Sequence, residues 1–472
     1  MKRSPAHLFF CLLLVSSIAH SASQATQNPA APAEPQPQPI PIIKTTVREV
    51  LVPVVVTDPK GHHVTNLKRS DFTVFEDGVA EDIVAFSTTT DSSSPDLSPA
   101  AASPAGSPSK PSQPVASASP SDPVRTYLIV IDTLHSSPSS YTRVRDAILK
   151  VLRQEQGADS LYALMAMGRE LRVIHDSTRD AAEIAASVRN SDFQKAFRDS
   201  EATKTAAAVQ QFAALMRNYC SACLCESNGG NTQLTQCASF QSRVQAALLS
   251  FDERMYALNQ NFLLTLKDLV RATATMPTAR TIIFISDGFN RFPGRDLYTV
   301  LRGFAPKDRI FEDHSRDTEP ELQNILKLAT KYDVKFYSLD SRGVYNSQFN
   351  PGNTFDAGTS FSTATQMDSR NGPSEATAAT ESVDRGVATG ARENADVLAQ
   401  LAHETGGLFF ENSNDLAKGI SRAIADTREY YLLAYVSKND TFDGKYRRIT
   451  VEVNDTKKLR VNAKAGYWAA GK

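Results

Sequence analysis

The sequence predicts an α/β protein with a doubly wound, mostly parallel sheet, a helical insertion and a small all-β unit from the N- and C-terminal segments. Two uninterrupted apolar runs, at 127–131 and 282–285, are typical of parallel strands buried on both faces. Segments with helical periodicity alternate with such runs, as expected of an α/β chain. Near both ends of the chain the apolar residues tend to recur at every second position, which indicates antiparallel strands.

The length and the charge of the chain limit its expected partners. At 472 residues it is too long for one ordinary domain and can bury a sizeable core. Its formal net charge is -1, with 22% charged residues. This balance gives no electrostatic reason to expect binding to nucleic acid or to an acidic membrane surface.

Residues 1–22 have the pattern of a secretory signal peptide. Lys2 and Arg3 form the positive region, 8–15 is apolar, and Ala22 is among the small residues that follow. The apolar run is too short for a stable membrane span, and no later run is long and apolar enough to be one. We therefore expect a mature chain without a membrane span, exported to the periplasm, the cell envelope or the medium. A retained signal anchor is the alternative.

The next segments are interpreted in chain order. Residues 23–44, rich in Pro, Ala and Gln, are expected to form a disordered tether. Residues 45–87 contain short strands separated by turns at 58–61 and 77–78, and they form a β unit too small to be stable alone. Residues 88–122 are almost only Ser, Pro, Ala and Thr, so they bury too little apolar surface to offset their ordering entropy. They are predicted to be a linker.

Residues 123–428 are predicted to form the α/β domain. A helical insertion with a cysteine loop interrupts it at 191–256, and a Ser-, Thr- and Gly-rich segment at 345–392 is expected to be flexible. Residues 429–472 predict three antiparallel strands, with a turn at Asp443–Gly444 between the first two. Because strand edges need partners, we expect these strands to pack with the N-terminal β unit.

Four cysteines remain after the signal peptide, namely Cys220, Cys223, Cys225 and Cys237. In an oxidising compartment an even, clustered set predicts two disulfides that close a local loop. Cys223 and Cys225 are too near each other in sequence to pair without strain, so each is expected to pair with Cys220 or Cys237. A zinc site made of four thiolates is the alternative.

Oxygen-bearing side chains follow both buried strands. In a doubly wound sheet, ligands bind beyond the carboxyl ends of the strands, where the strand order reverses. If the two strands are neighbours there, Asp132 and Asp287 converge, and with Ser136 and Ser286 they form an oxygen-rich site that suits Mg²⁺ or Ca²⁺. The alternative is local, with Asp132 and Ser137 as caps of the following helix and Asp287 as a turn residue.

Short motifs at several places in the chain point to a known family. They are VVVTD at 54–58, DFTVFEDG at 71–78, DTLHS at 132–136, ISDG at 285–288, SLDSRG at 338–343, TGG at 405–407, YYLLAY at 430–435 and GY at 466–467. Together they resemble the exported family related to von Willebrand factor type A domains that is typical of Acidobacteria. The resemblance covers about residues 47–468, apart from the linker, the cysteine insertion and the Ser/Gly-rich segment. It implies a Rossmann-like α/β fold and a role in protein binding or adhesion.

The resemblance also implies a metal-ion-dependent adhesion site, which in that family is an Asp-x-Ser-x-Ser turn, a distant Thr and a second Asp before Gly. Asp132, Ser136 and Asp287 match it and are the implied metal ligands, with Mg²⁺ or Ca²⁺ as the cation. Leu134 stands at the first Ser position and removes one oxygen ligand. Asn261 and Thr265 are the candidates for the distant Thr. The site is therefore expected to be degenerate.

The sequence contains none of the common catalytic patterns. It lacks Gly-x-Ser-x-Gly, a phosphate loop that ends in Gly-Lys-Ser/Thr, Gly-x-Gly-x-x-Gly and His-Glu-x-x-His. His135 is interpreted as an ordinary surface residue, and His62 and His63 as solvated residues of a turn. We therefore predict a protein that is not an enzyme, with no catalytic residue and no site for an organic cofactor.

Two functions are expected from these patterns. The first is an exported module that binds a protein partner through the edge of its central sheet, with or without a cation. The second is a structural or scaffolding role in the cell envelope, in which the degenerate site is vestigial.

Overall fold

The structure, a computed structural model, describes residues 49–88, 125–155, 160–224, 231–276, 281–305, 309–344, 390, 392–454 and 458–469. The predicted signal peptide, the tether, residues 89–122 of the linker and nearly all of the segment predicted to be flexible lie outside these ranges. Residues 390 and 392, at the end of that last segment, are helical.

The described strands and helices alternate through the middle of the chain. The strands are β1 Glu49–Thr57, β2 Phe72–Glu76, β3 Val79–Glu81, β4 Ile83–Thr88, β5 Arg125–Asp132, β6 Ser160–Met167, β7 Leu171–Thr178, β8 Thr281–Ser286, β9 Lys335–Asp340, β10 Phe409–Phe410, β11 Tyr431–Val436, β12 Tyr446–Val453, β13 Arg460–Ala463 and β14 Gly466–Trp468. The helices are α1 Ser140–Gln154, α2 Ala181–Arg189, α3 Ser191–Arg198, α4 Glu201–Tyr219, α5 Asn231–Thr275, α6 Arg295–Phe304, α7 Glu319–Lys331, α8 392–405 and α9 Leu416–Arg428.

The central sheet has six strands in the order β10-β9-β8-β5-β6-β7. β6 and β7 are antiparallel, and the other neighbours are parallel. Alternate residues of β5 face opposite helical layers, which explains its apolar run. Tyr127, Ile129 and Ile131 belong to a cluster with α1, α2 and α9, whereas Leu128 and Val130 pack with α5, α7 and α8. The predicted α/β class, with a mostly parallel sheet flanked by helices, is confirmed.

The strand order reverses at the centre of this sheet. From β5 the chain moves to β6 on one side, and after the insertion it continues through β8, β9 and β10 on the other. β5 and β8 are therefore direct neighbours, with Ile131 opposite Ile285. The two apolar runs that the sequence singles out lie side by side and point the same way.

The N- and C-terminal strands form two antiparallel four-stranded sheets. Their orders are β13-β1-β11-β4 and β14-β12-β2-β3, so each sheet mixes strands from both ends of the chain. Their facing side chains share one hydrophobic cluster, to which Val52, Val74, Leu433 and Tyr435 belong. The expected packing of the C-terminal strands with the N-terminal β unit is confirmed.

The predicted hairpin across Asp443–Gly444 is wrong. β11 pairs with β1 and β4, whereas β12 pairs with β2 and β14. N-terminal strands fill both edges of β11, so no edge remains for β12. The third predicted strand is divided into β13 and β14, and these belong to different sheets.

The insertion consists of α3, α4, a π-helical turn at Cys220–Leu224 and the first part of α5. α5 is one helix of 45 residues, so the predicted boundary at residue 256 falls within it. Phe212 of α4, Phe251 of α5 and Leu301 of α6 share a hydrophobic cluster that holds the insertion against the α/β domain. Within the described part of the chain, no helix has both the length and the apolar character needed to cross a membrane.

A disulfide joins Cys223 to Cys237 and links the π-helical turn to α5. This pair confirms one of the two predicted disulfides and excludes a zinc site built from all four thiolates. The second predicted disulfide stays a prediction, and Cys220 Sγ lies 3.7 Å from the carbonyl oxygen of Phe304 on α6. Cys225 lies outside the described residues.

His63 connects the β sheets to the α/β domain, contrary to the expectation that it is solvated. Its side chain is 9% exposed, and its ring nitrogens lie 2.7 Å from Asp426 Oδ1 and 3.3 Å from Glu429 Oε2 on α9. His62 has a side chain that is 78% exposed, as expected, and it contacts only the nearby Asp58 among the described residues.

We expect His63→Ala to lower the free energy of unfolding by about 1–3 kcal/mol, because it leaves the buried carboxylate of Asp426 short of a hydrogen-bond partner. His62→Ala is the matched control and should change that free energy by less than about 0.5 kcal/mol. Urea denaturation of both variants measures the difference. Equal stabilities would contradict a structural role for the His63 contact.

Candidate functional site

Three neighbouring strands of the central sheet end in aspartates or lead directly into one. β5 ends at Asp132, β8 is followed by Asp287, and β9 ends at Asp340. The strands are parallel and in register, with Ile131 opposite Ile285 and Ser286 opposite Asp340. Their carboxyl ends therefore meet at one edge of the sheet. We call the loops at this edge, residues 133–139, 287–294 and 341–344, the strand-end rim.

Asp132 is fully buried and is surrounded by hydrogen-bond donors. Its Oδ1 accepts hydrogen bonds from the backbone amides of Leu134 and His135, both at 3.0 Å. Its Oδ2 accepts one from the Ser286 hydroxyl at 2.7 Å and lies 2.9 Å from His135 Nδ1. The Ser286 oxygen in turn accepts from the backbone amide of Gly288 at 2.9 Å. Asp132 thus ties its own loop to the loop after β8.

Asp287 is buried as well and joins all three loops of the rim. Its carboxylate accepts hydrogen bonds from the Ser137 amide at 2.8 Å, from the Ser140 hydroxyl at 2.9 Å, and from the Ser341 hydroxyl. Burial raises the pKa of Asp287, and the hydrogen bonds from Ser341 and Ser137 act in the opposite direction. The local alternative is not what the structure has, since α1 begins at Ser140 with no side-chain cap and Asp287 contacts residues of other loops.

The third strand end adds residues that the sequence analysis did not assign to the site. Arg342 binds Asp340 through two nitrogens, with Nε 2.9 Å from Oδ1 and Nη2 2.6 Å from Oδ2. Arg143 of α1 donates from Nε to the carbonyl oxygen of Ser341 at 3.0 Å. The sequence signal was a third apolar strand that ends in Asp, within the motif at 338–343.

His135 is not an ordinary surface residue. Its side chain is 15% exposed, and its ring packs edge-on against Phe262 of α5, with centroids 4.5 Å apart, and against Phe289 at 5.6 Å. Together with its contact to Asp132, this packing fixes the first loop of the rim against the helix that leaves the insertion.

The side chains at the rim do not fit a divalent cation as they are arranged. Each carboxylate oxygen of Asp132 and Asp287 already has two hydrogen-bonding contacts inside the protein. Leu134 is buried in the hydrophobic core. Ser136 Oγ is buried without a hydrogen-bond partner in the described residues, so it is one oxygen left for an ion. Six or more oxygen ligands are usual for Mg²⁺ and Ca²⁺.

The candidates for the distant Thr ligand hydrogen-bond to residues other than Asp132 and Asp287. Thr265 donates its hydroxyl to the Asn261 carbonyl oxygen at 2.9 Å, and Asn261 donates to the Arg169 carbonyl oxygen at 3.0 Å. Asn261 is an exposed residue of α5, and Thr265 is half-buried. No cluster of three or more His, Cys, Asp or Glu with metal-binding geometry occurs in the ranges that the structure describes.

Comparison with known proteins identifies no relative of this chain. The chain matches no protein-family model, and no curated protein matches it either.

Proposed function

We propose that the protein is an exported binding module that engages a protein partner through the strand-end rim. The observation that carries the proposal is the position of the rim at the place where the strand order reverses, between β5 and β8. Doubly wound sheets bind their ligands at this position. The von Willebrand A-like character implied by the sequence motifs agrees with a protein as that ligand.

The hydrogen bonds inside the rim support binding without a cation. Asp132 and Asp287 connect the three loops through buried side chains, which limits the motion of those loops. A surface held in one conformation loses less entropy when a partner binds. In this proposal the two aspartates hold the loops in place, and the partner contacts the more exposed residues around them, such as Ser137 and Ser139.

Export is supported by two observations. The disulfide between Cys223 and Cys237 is of the kind that persists in oxidising compartments. The pattern of residues 1–22 is that of a secretory signal.

A scaffolding role in the cell envelope is the second candidate. It is favoured by the burial of Asp132, Ser136 and Asp287, which are 0%, 0% and 8% exposed. In a vestigial site, residues that match the metal-site motif would stabilise the fold and would not contact a ligand. The two candidates differ in whether a bulky change on the rim surface removes binding.

We expect Ser139→Arg to abolish capture of partner proteins, because the new side chain projects from a partly exposed position of the rim. The chain without residues 1–22 is immobilised and exposed to cross-linked envelope extract of the organism that encodes it. The captured proteins are then quantified by mass spectrometry. Thr275→Arg is the matched control, since Thr275 is exposed at the end of α5 that leads into β8, at the opposite edge of the sheet.

Capture should persist in EDTA, because the proposal assigns no role to a cation. Titration of the same chain with Mg²⁺, Ca²⁺ and Mn²⁺ should give no saturable heat. Proteins retained equally by wild type, Ser139→Arg and Thr275→Arg would favour scaffolding. A saturable heat that Asp132→Asn removes would show that an ion displaces the internal hydrogen bonds.

A further inference from the structure

A half-enclosed cavity of about 200 Å³ lies between the strand-end rim and the helical insertion. The loops after β5 and β8 form one side, and α4, α5 and α6 form most of the other. An apolar cavity of about 150 Å³ is large enough to admit benzene. The space is therefore sufficient for a small organic molecule.

Much of the cavity wall is apolar. Leu134 and Phe289 line it from the rim, Val209 from α4, and Met255 and Leu258 from α5. Burial of apolar ligand surface against such side chains is favourable in proportion to the area removed from water. The apolar wall thus favours a ligand with a hydrocarbon body.

Asn259 brings an unsatisfied acceptor to this wall. The residue is 3% exposed, and its amide nitrogen donates to Thr318 Oγ1 at 3.0 Å. Its Oδ1 is buried and has no hydrogen-bond partner among the residues described. A buried acceptor without a donor is costly, so this oxygen favours a ligand that carries a donor.

Two more oxygen acceptors lie on the same cavity. Asn394 Oδ1 is buried and likewise lacks a donor within the described ranges. Asp296 lines the cavity from the first turn of α6. Its Oδ1 is close to Gly390, four residues before Asn394, since a Cβ at Gly390 would lie 3.9 Å from it. The helix N-terminus accounts for an acid at position 296, but it does not account for the two bare amide oxygens.

The environment of Asp296 is unfavourable for an isolated carboxylate. Burial raises its pKa, and the nearby carboxylate of Glu393 raises it further. The hydrogen bond from its own backbone amide acts in the opposite direction. A cation in the cavity would relieve both effects.

The other charged groups of the wall are already paired. Glu201 binds Arg169 at 2.6 Å and Lys204 at 3.0 Å, and Arg342 binds Asp340. Asp287 is held by the rim serines and the Ser137 amide. The buried atoms of the wall without a partner in the described residues are both acceptors, Asn259 Oδ1 and Asn394 Oδ1, and the carboxylate of Asp296 adds a charged acceptor.

We propose that this cavity binds a small organic cation, a protonated primary amine on an apolar body. An ammonium group has three donors and no acceptor, which complements three oxygen acceptors. The apolar body fills the space beside Met255, Leu258 and Phe289. This inference goes beyond protein binding at the rim and does not depend on it.

Calorimetric titration of the chain without residues 1–22 tests the ligand class, with 2-phenylethylamine as the probe. We expect saturable binding at one site per chain. The neutral 2-phenylethanol should bind at least about tenfold more weakly than the amine, and phenylacetate should give no saturable heat. Only the amine can donate charge-assisted hydrogen bonds to the oxygen acceptors. Equal binding of the amine and the alcohol, or no saturable amine heat up to about 10 mM, would overturn the proposal.

Two variants locate the binding. Asp296→Asn should weaken the amine at least about tenfold, and Ala206→Leu should block it by filling the cavity from α4. Asp268→Asn, which changes an exposed carboxylate of α5, should leave the affinity unchanged. Circular dichroism checks that each variant folds. Folded Asp296→Asn and Ala206→Leu proteins that bind the amine like wild type would place the ligand elsewhere and contradict the proposal.

Discussion

Replacing Asp132 with alanine is expected to lower the free energy of unfolding by about 3–5 kcal/mol, the cost of removing one partner of a buried charged contact. The change leaves the buried amide of Leu134 and the amide of His135 without their acceptor. It also leaves the Ser286 hydroxyl and the His135 ring without the Oδ2 contact. The loss should appear as a lower denaturation midpoint with an unchanged slope in urea.

Asp132→Asn is the informative comparison. The amide keeps an acceptor for the two backbone donors and removes the charge, so we expect a smaller loss of about 1–2 kcal/mol. Asp146→Ala, at a carboxylate that is 58% exposed on α1, should change the free energy of unfolding by less than about 0.5 kcal/mol. If Asp132→Ala were no less stable than Asp146→Ala, the buried network would not support the fold. Because of this effect, alanine variants of Asp132 are poor tools for binding tests.

Replacing Glu76 with alanine is the second change with a large expected effect, again about 3–5 kcal/mol of unfolding free energy. Glu76 is 2% exposed and connects the two antiparallel sheets. Its carboxylate accepts hydrogen bonds from Tyr435 at 2.7 Å, Ser437 at 2.7 Å and Tyr467 at 2.9 Å, with Arg447 Nε at 4.0 Å. Burial and the neighbouring Glu76 raise the pKa of Tyr435, so this hydroxyl remains a donor throughout the neutral range.

Urea denaturation of Glu76→Ala is best read beside Glu452→Ala. Glu452 lies on β12, the strand that pairs with β2, but its side chain belongs to an exposed residue. The control should stay within about 0.5 kcal/mol of wild type. Glu76→Gln keeps one acceptor oxygen, so its free energy of unfolding should lie between those of Glu76→Ala and Glu452→Ala. A Glu76→Ala protein as stable as Glu452→Ala would show that the three hydroxyls find other partners at no cost.

The edge of the central sheet was predictable from the sequence because its signal is local. An apolar run followed by Asp132, or by Ser286 and Asp287, indicates a buried strand with its carboxyl end at an edge. A strand predicted at 334–339 and followed by Asp340 gives a similar signal. The hydrogen bonds of Ser140 and Ser341 to Asp287 were not predictable, because they join residues 147 and 54 positions apart.

The wrong predictions have the same physical cause, namely contacts between residues that are far apart in the sequence. His63 appears in sequence as a turn residue, and its partner Asp426 lies 363 positions further along the chain. Asp443–Gly444 has the composition of a hairpin turn, yet β11 finds β1 and β4 as partners and leaves β12 to another sheet. Local turn chemistry therefore indicated where the strands end but not which strands pair.

The mixing of N- and C-terminal strands has a consequence for biosynthesis. β1 lies between β11 and β13, which come near the C-terminal end of the chain, and β2 pairs with β12, which is also in that last part. A polypeptide that emerges from the ribosome or a translocon with its amino end first cannot close either sheet until the final strands arrive. Loop closure over such a separation is slow, and unpaired strand edges meanwhile attract other chains. Premature termination after α9 should therefore produce an aggregating product rather than a trimmed but folded one.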